Sequence, residues 1–476
     1  MLQKHIQHLY WRAGFGEPYA VVRAAQRQSA RQVFKQMLRD SEDFRPIDIV
    51  DVREVVAEFR QLREMRDIKK EGGREEVRDK LKDLQKDRKE EQGTLNTTWI
   101  ELMATSRGVL REKMALFWHG HLVSRSLNPA FSQSYLNTLR ENALGKFGDL
   151  LMAVSKEPSM LQFLNNKQNK KRSPNENFSR ELMELFTLGR GNYTEKDIKE
   201  VARAFTGWDF DLQGKFTFRE FQHDNGEKTI FGKAGNFKGE DVIEMILERK
   251  ETAQFLTTKI YKYFVNDNIG GKEKRIAELS KHFYKTDYNI ADLLENIFTA
   301  DWFYDQENIG SHIKSPVELL VGIKRTLGAA FEDQQPNLFI QKVLGQVLLY
   351  PPNVAGWAGG KSWIDSSSLL FRMQLPAMLF LGKEGNISAK KDGDVNTEYQ
   401  SKKQSFKATV DWQNFSESFS EKAKSLLDEL SLYLLQVPVN EQFTQNLASK
   451  SQNNSKEENI KQMAIALMMM PEYQVY

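Results

Sequence analysis

Apolar residues in this chain recur at steps of three and four along most of its length, and that spacing commits it to helices. Residues 50–70 place Val52, Val55, Val56, Phe59, Leu62 and Met65 on one helical face. Gly72-Gly73 breaks the pattern, and a highly charged helix follows with Val77, Leu81 and Leu84 as a narrow apolar stripe. Residues 50–93 therefore read as an inserted, charged helical hairpin arm, solvated on its outer side. A long helix is expected over 98–122, two more over 132–165, and one over 175–188 that stops at Gly189. Thr194 starts another, with Asp197 completing a capping box. Residues 208–231 differ: Phe216 and Phe218 alternate with polar neighbours after a Gln213-Gly214 turn, which predicts a small β-hairpin. Helices are expected again near 239–248, 251–265, 272–285, 290–300, 315–330, 336–349, 417–436 and 456–470. Residues 384–415 are polar and poor in apolar side chains, which predicts a flexible loop. The expected fold is mainly α, one large multi-helical domain over 1–476 carrying these two insertions.

A chain of 476 residues, 40% of them hydrophobic, can bury a large core. Its 68 basic and 65 acidic residues leave a net charge of +3, too even to imply nucleic acid or an anionic membrane from charge alone. There is no cysteine, which excludes disulfides, thiolate ligands and a cysteine nucleophile. A metal site would have to use His, Asp, Glu, Asn or Gln. No apolar run approaches the ~18 residues of a membrane span. The N-terminal MLQKHIQHLYWRAGFG lacks the apolar centre of a signal peptide, so a cytoplasmic location is expected.

Three places hold chemistry-bearing residues. FWHGHLVSR at 117–125 contains His119 and His121, with Trp118 between Phe117 and His119. In a continuous helix, side chains two apart diverge by about 200°. Met114, Phe117, Trp118, His121 and Leu122 fall at helical steps, so His121 is expected in the core and His119 on the surface. The two converge on one ion only if Gly120 loosens the helix or the segment is extended there. In the 175–188 helix, Phe178, Leu182, Leu185, Phe186 and Leu188 define an apolar face, and Glu181 projects inside it, with Asn177 and Glu184 at its edge. A carboxylate there must be paired with Arg or His, or serve as metal ligand or general base. His223-Asp224 lies in the loop after the hairpin, a usual place for a catalytic or metal-binding pair and also a common surface dipeptide. The loop at 350–365 carries Gly356, Gly359 and Gly360 around Trp357 and Trp363, and reads either as a pocket wall or as a rigid plug. No P-loop, GxSxG, HExxH or GxGxxG pattern occurs.

HLYWRAGFG at 8–16, FWHGHLVS at 117–124 and the long PNENFSRELMELFTLGRGNYTEKDIKEVARAFTGW at 174–208 together resemble one bacterial family. So do HDNGEKT at 223–229, KSPVE at 314–318, PPNVAGWAGGKSWI at 351–364 and PEYQ at 471–474. It is the family known as domain of unknown function 1800, and the resemblance spans nearly the whole chain. That family has no established activity. The resemblance implies a neighbouring partner similar to the sulfatase and alkaline-phosphatase superfamily, often carrying a twin-arginine export signal. Co-export to the periplasm with that partner is thus the alternative to a cytoplasmic location. The chain departs from the family's frequent Leu-Asp-Asn at Leu164-Asn165-Asn166, so no acid role is placed there.

Two functional readings follow. In the first, His119, His121 and His223 bind a divalent metal, zinc or iron, and Glu181 or Asp224 serves as base, with hydrolysis as the default reaction and oxygen chemistry at iron as a variant. Trp118, Asn177, Glu184, Trp357 and Trp363 would line the pocket. In the second, the protein is a non-catalytic companion that binds the sulfatase-like neighbour, through the 50–93 arm.

Overall fold

A computed structural model describes residues 1–51, 65, 74–382, 406–420, 423–440, 442, 447 and 455–476. The chain opens with helices α1 (Gln3–Arg12), α2 (Tyr19–Ala25) and α3 (Ala30–Asp40). Then come α4 (Arg74–Thr105), α5 (Val109–His121), α6 (Pro129–Glu141), α7 (Phe147–Ser155) and α8 (Pro158–Phe163). Helix α9 (Asn177–Glu181) runs directly into a π-helical turn, Leu182–Thr187, and α10 (Glu195–Ala204) follows. Two hairpins come next, β1 (Trp208–Phe210) with β2 (Phe216–Phe218) and β3 (Lys228–Ile230) with β4 (Lys233–Gly235). Helices α11 (Gly239–Leu247), α12 (Lys250–Phe264), α13 (Glu273–Lys285), α14 (Ile290–Phe298) and α15 (Pro316–Leu327) continue the chain. After β5 (Ala330–Phe331) lie α16 (Gln335–Leu344) and α17 (Ser366–Leu381). Strand β6 (Ala408–Thr409), α18 (Trp412–Glu417), α19 (Ala423–Leu434) and α20 (Lys456–Met468) complete it.

The protein is thus mainly α, with small antiparallel two-stranded sheets. Local chemistry sets many helix starts. Ser29 with Gln32, Thr194 with Asp197, Ser315 with Glu318 and Asp365 with Ser368 form reciprocal capping boxes, and Pro316 sits at the first helical position of α15. Gly328, Gly345 and Gly382 end their helices in the left-handed region. Buried apolar residues form one connected cluster from Ile6 to Tyr473. Helix α5 lies inside it: all of its residues except Arg111 and Gly120 are buried, against α3, α4 and α6 among others. Among the described residues, no helix is long and apolar enough to cross a membrane.

Several sequence expectations shift. The helix expected over 98–122 is interrupted: α4 ends at Thr105, and the Gly108 N–H donates to Ser106 Oγ at 2.9 Å in the turn before α5. The second half of the charged arm is the unbroken N-terminal part of α4, which carries on to Trp99 in the core. The arm's first helix falls at 52–64 and 66–73, outside the described residues. The stretch 132–165 holds parts of three helices, and 208–235 two hairpins instead of one, paired Trp208↔Phe218 and Lys228↔Gly235 at their open ends. Of the polar stretch 384–415, residues up to 405 lie outside the described ones. The remainder is ordered by β6 pairing with β5, and Phe406 and Trp412 are buried.

Candidate functional site

The two histidines of α5 diverge as a helix requires, but both are buried, because neighbouring elements cover α5 on the side of each ring. The surface position expected for His119 is therefore corrected. Its Nε2 accepts the Leu349 N–H at 2.9 Å, which places the ring proton on Nδ1. Leu349 is left-handed with φ 67°, a strained conformation for leucine that this bond helps to hold. Trp357 stands edge-on to the His119 ring at 5.3 Å. Gly356 approaches so closely that a Cβ there would lie 2.7 Å from the Gly120 carbonyl oxygen. His119 is thus the anchor of the 350–363 loop, which acts as a plug.

His121 serves another segment. Its Nε2–H donates to the Phe186 carbonyl at 2.9 Å, and its ring stacks on Phe117. That carbonyl belongs to the π turn, where Leu188 N–H and Thr187 Oγ reach back five residues to Met183 and Leu182. A helix end has orphan carbonyls, and His121 satisfies one of them. Burial pushes the His119 pKa down to about 4; burial, assisted by Lys259, pushes that of His121 down to about 3. Both rings are neutral at ordinary pH.

The π turn also explains why the projection of Glu181 failed. A regular helix would sink it between Leu185 and Leu188. The wider turn changes phase at Leu182 and leaves Glu181 half-buried. Burial and then Glu184 raise its pKa, against Arg180 and Arg190. Glu184 is the residue that is paired, with the Arg190 guanidinium and with Tyr193 OH at 2.7 Å. Asn177 N–H donates to Asn175 Oδ1, a local turn contact. Trp118 donates from Nε1 to the Ala143 carbonyl at 3.1 Å. Trp363 is half-buried at the end of the short 3-10 turn Gly360–Trp363, where its carbonyl accepts from Ser368 Oγ.

His223 is buried as well, so of the readings open for the His223-Asp224 pair a surface dipeptide does not hold for the histidine. Its Nδ1–H donates to the Thr206 carbonyl at 2.9 Å, and its ring packs on Phe218. Burial lowers its pKa. Asp224 is held by Arg203 through contacts of 2.7 and 3.2 Å and accepts from Gly226 N–H, which keeps its pKa low. Buried Lys228 donates to the Asp224 and Gly226 carbonyls. The HDNGEKT segment is therefore a self-braced turn. Each histidine holds a different segment, and among the described residues no three His, Asp or Glu side chains gather as a metal-holding group.

Sequence reasoning missed two features. The first is a buried ionic knot where the segments at 8–16, 314–318 and 471–474 meet. Glu318 pairs with Lys113 and accepts from Tyr476 OH at 2.6 Å and Ser315 N–H at 2.8 Å. Burial opposes its ionisation, but Lys113, His312 and the hydrogen bonds prevail and hold it well below the usual carboxylate range. Arg12 donates to Asn308 O and Ser311 Oγ, Arg372 to Lys314 O, and Lys314 to Tyr473 O while lying on the Trp11 ring at 4.0 Å. The Lys113–Glu318 pair and these hydrogen bonds tie distant segments together, while Arg12 Nε and Nη1 and Arg372 Nε and Nη2 find no acceptor among the described residues. The core members of the knot are closed to solvent. Ordinary Lys and Glu symbols in separated helices gave no sequence signal for it.

The second feature is a groove. A cavity of about 1030 Å³ lies between α12, α13 and the rim Leu188–Asn192 that follows the π turn. Phe255, Leu188, Ala253 and Ala277 supply apolar surface. Gly189 must be glycine there, since φ is 76° and a Cβ would meet Phe255 at 2.8 Å. Lys250, Lys259, Lys262, Lys281 and Lys285 also line it, and none has a carboxylate partner among the described residues. The acid in the lining, Glu251, faces Arg249 at 3.5 Å. Burial, and then the neighbouring Lys262 cation, lower the Lys259 pKa; Lys262 in turn acts on the Asp267 carboxylate. Lys250 and Lys262 are twelve residues apart on one helix, so the cationic track extends on the order of 18 Å. Trp118, Asn177, Glu184, Trp357 and Trp363 do not line this cavity. His121 supports it from beneath: it holds Phe186 ahead of the rim and lies 6.1 Å from the Phe255 ring.

Fold and site together define a mainly helical protein in which His119, His121 and His223 are buried and a lysine-lined groove lies between α12 and α13. The chain belongs to the family described as protein of unknown function DUF1800, which matches residues 8–475. No match is found among curated proteins or among solved structures.

Proposed function

We propose that this protein is a binding protein for an extended, multiply anionic ligand, seated in the groove between α12 and α13. The observation that carries this is the row of five lysines without carboxylate partners over an apolar floor. Such a row repels itself unless a ligand supplies the opposite charge, and its length suits several anionic groups in series rather than one ion. An acidic polypeptide segment with interspersed apolar residues has that chemistry. This favours the companion role over the metal-dependent hydrolase. The sulfatase-like neighbour is one source of such a segment. A zinc or iron hydrolase would need His119, His121 and His223 at one ion, whereas each bonds a different segment and, among the described residues, no three His, Asp or Glu side chains gather as a metal-holding group.

The test is fluorescence anisotropy with labelled poly-glutamate. The parent should bind it, with affinity falling as salt rises. Lys259→Glu with Lys281→Glu should weaken binding at least tenfold while circular dichroism stays unchanged. Absence of binding at low salt, or equal binding by the reversed-charge variant, would overturn the proposal.

A further inference from the structure

The HDNGEKT turn and the basic loop before α9 are tied together by backbone hydrogen bonds. What they hold in place is an exposed phenylalanine. Phe221 is 68% exposed on the short turn Glu220–Gln222. That turn is braced from several directions. Arg219 N–H donates to Gly207 O, His223 N–H to Glu220 O, and Lys171 N–H to Gln222 O at 2.9 Å. Gly207 N–H in turn donates to Asn169 O, and Asn169 Nδ2 to Ala202 O. Gly207 has φ 83°, and a Cβ there would lie 2.7 Å from Arg219 O. Beneath the turn, the buried His223 ring and the Arg203–Asp224 pair fix its exit.

The same bracing sets Lys170, Lys171 and Arg172 beside the phenylalanine. These three, with Phe221 and Gln222, line a hollow of about 310 Å³ that has no carboxylate in its wall. None of the three cations has an acidic partner among the described residues. An apolar ring that projects outward from a turn whose backbone is bonded to that of Lys171, the middle one of three neighbouring cations, is organised in part before binding. Its complement places an anionic group over the hollow and a hydrocarbon layer against the ring. We propose that this knuckle docks the protein on an anionic phospholipid surface, the phosphate lying in the hollow and Phe221 entering the acyl boundary. It is independent of the α12–α13 groove.

Co-sedimentation of the full chain with phosphatidylcholine vesicles, with and without phosphatidylglycerol, tests this. Binding should require phosphatidylglycerol and weaken with salt. Each Lys→Glu or Arg→Glu change among Lys170, Lys171 and Arg172 should lower the partition coefficient at least about fivefold. Phe221→Ser should lower it roughly tenfold, with an unchanged melting temperature because the ring is exposed. Lys281→Glu in the groove should leave it unchanged. Equal binding to both vesicle types, parent-like binding by Phe221→Ser, or loss of binding through Lys281→Glu would each overturn the proposal. So would full displacement by soluble glycerol phosphate, which would make the hollow a site for a free phosphate.

Discussion

Glu318→Gln is the perturbation with the largest expected effect. The substitution preserves shape but turns one of the two oxygens into an N–H donor, so only one of Tyr476 OH and Ser315 N–H keeps its acceptor, and it removes the negative charge opposite Lys113. Lys113 then stays buried among the rings of Phe15, Tyr263 and Tyr476 with no anion. Breaking a buried pair from one side costs about 3–5 kcal/mol. Lys113→Met should cost less, about 2–3 kcal/mol, because Glu318 keeps one hydroxyl and one amide donor. The double variant Lys113→Met with Glu318→Met should recover to within about 2 kcal/mol of the parent, since no charge is left stranded. Urea denaturation followed by tryptophan fluorescence measures all three. pH adds a further check. The Glu318 pKa is lower folded than unfolded, so its contribution is complete above about pH 4.3 and disappears as pH falls toward the folded value. Glu318→Gln should lack that acid-side loss. A Glu318→Gln variant within about 1 kcal/mol of the parent, or a double variant equal to the sum of the singles, would refute the account of the knot.

The histidines should act at milder pH. His119 and His121 have folded pKa values of about 4 and about 3, below the unfolded ~6.5. The unfolded state therefore takes up protons first, and stability should fall below pH 6.5 by about 1.4 kcal/mol per pH unit for each ring. His119→Gln should flatten that slope, as measured by denaturation midpoints between pH 7 and 5. Chelator treatment should leave the melting temperature unchanged; a drop reversed by zinc would restore the metal reading. Gly356→Ala should destabilise by about 1–3 kcal/mol, because it meets both a left-handed φ and the Gly120 carbonyl. Calorimetry reads the loss, and parent-like melting would show that the loop is not seated on α5.

Much of the architecture was legible from residue order. Thr194 with Asp197 announced α10, Phe216 and Phe218 announced the first hairpin, and the steps of three and four announced most helices, because each is a local consequence of nearby side chains. The site was harder to read for reasons that are also physical. A 100° projection assumes an α-helix, and the π turn after Glu181 breaks that assumption one residue later. Exposure of His119 was inferred from one apolar face, whereas α5 is covered on the His119 side as well. The Lys113–Glu318 pair joins residues 205 positions apart, and the groove forms where three segments face one another. No periodicity within a single segment encodes either arrangement.

The spacing of the two α5 histidines has a mechanical consequence. Each residue added to a helix turns everything beyond it by about 100°. His119 engages Leu349 on one side and His121 engages Phe186 on another, so the helix is keyed at two angles near its C-terminal end. A single-residue insertion between Val109 and Phe117 would rotate both keys out of their locks together, releasing the plug loop and the groove rim in one step. Substitution at either histidine would release one alone. The HxH spacing is in this sense a phase mark on an axle, and the tolerance of α5 to length change should be far lower than its tolerance to side-chain change.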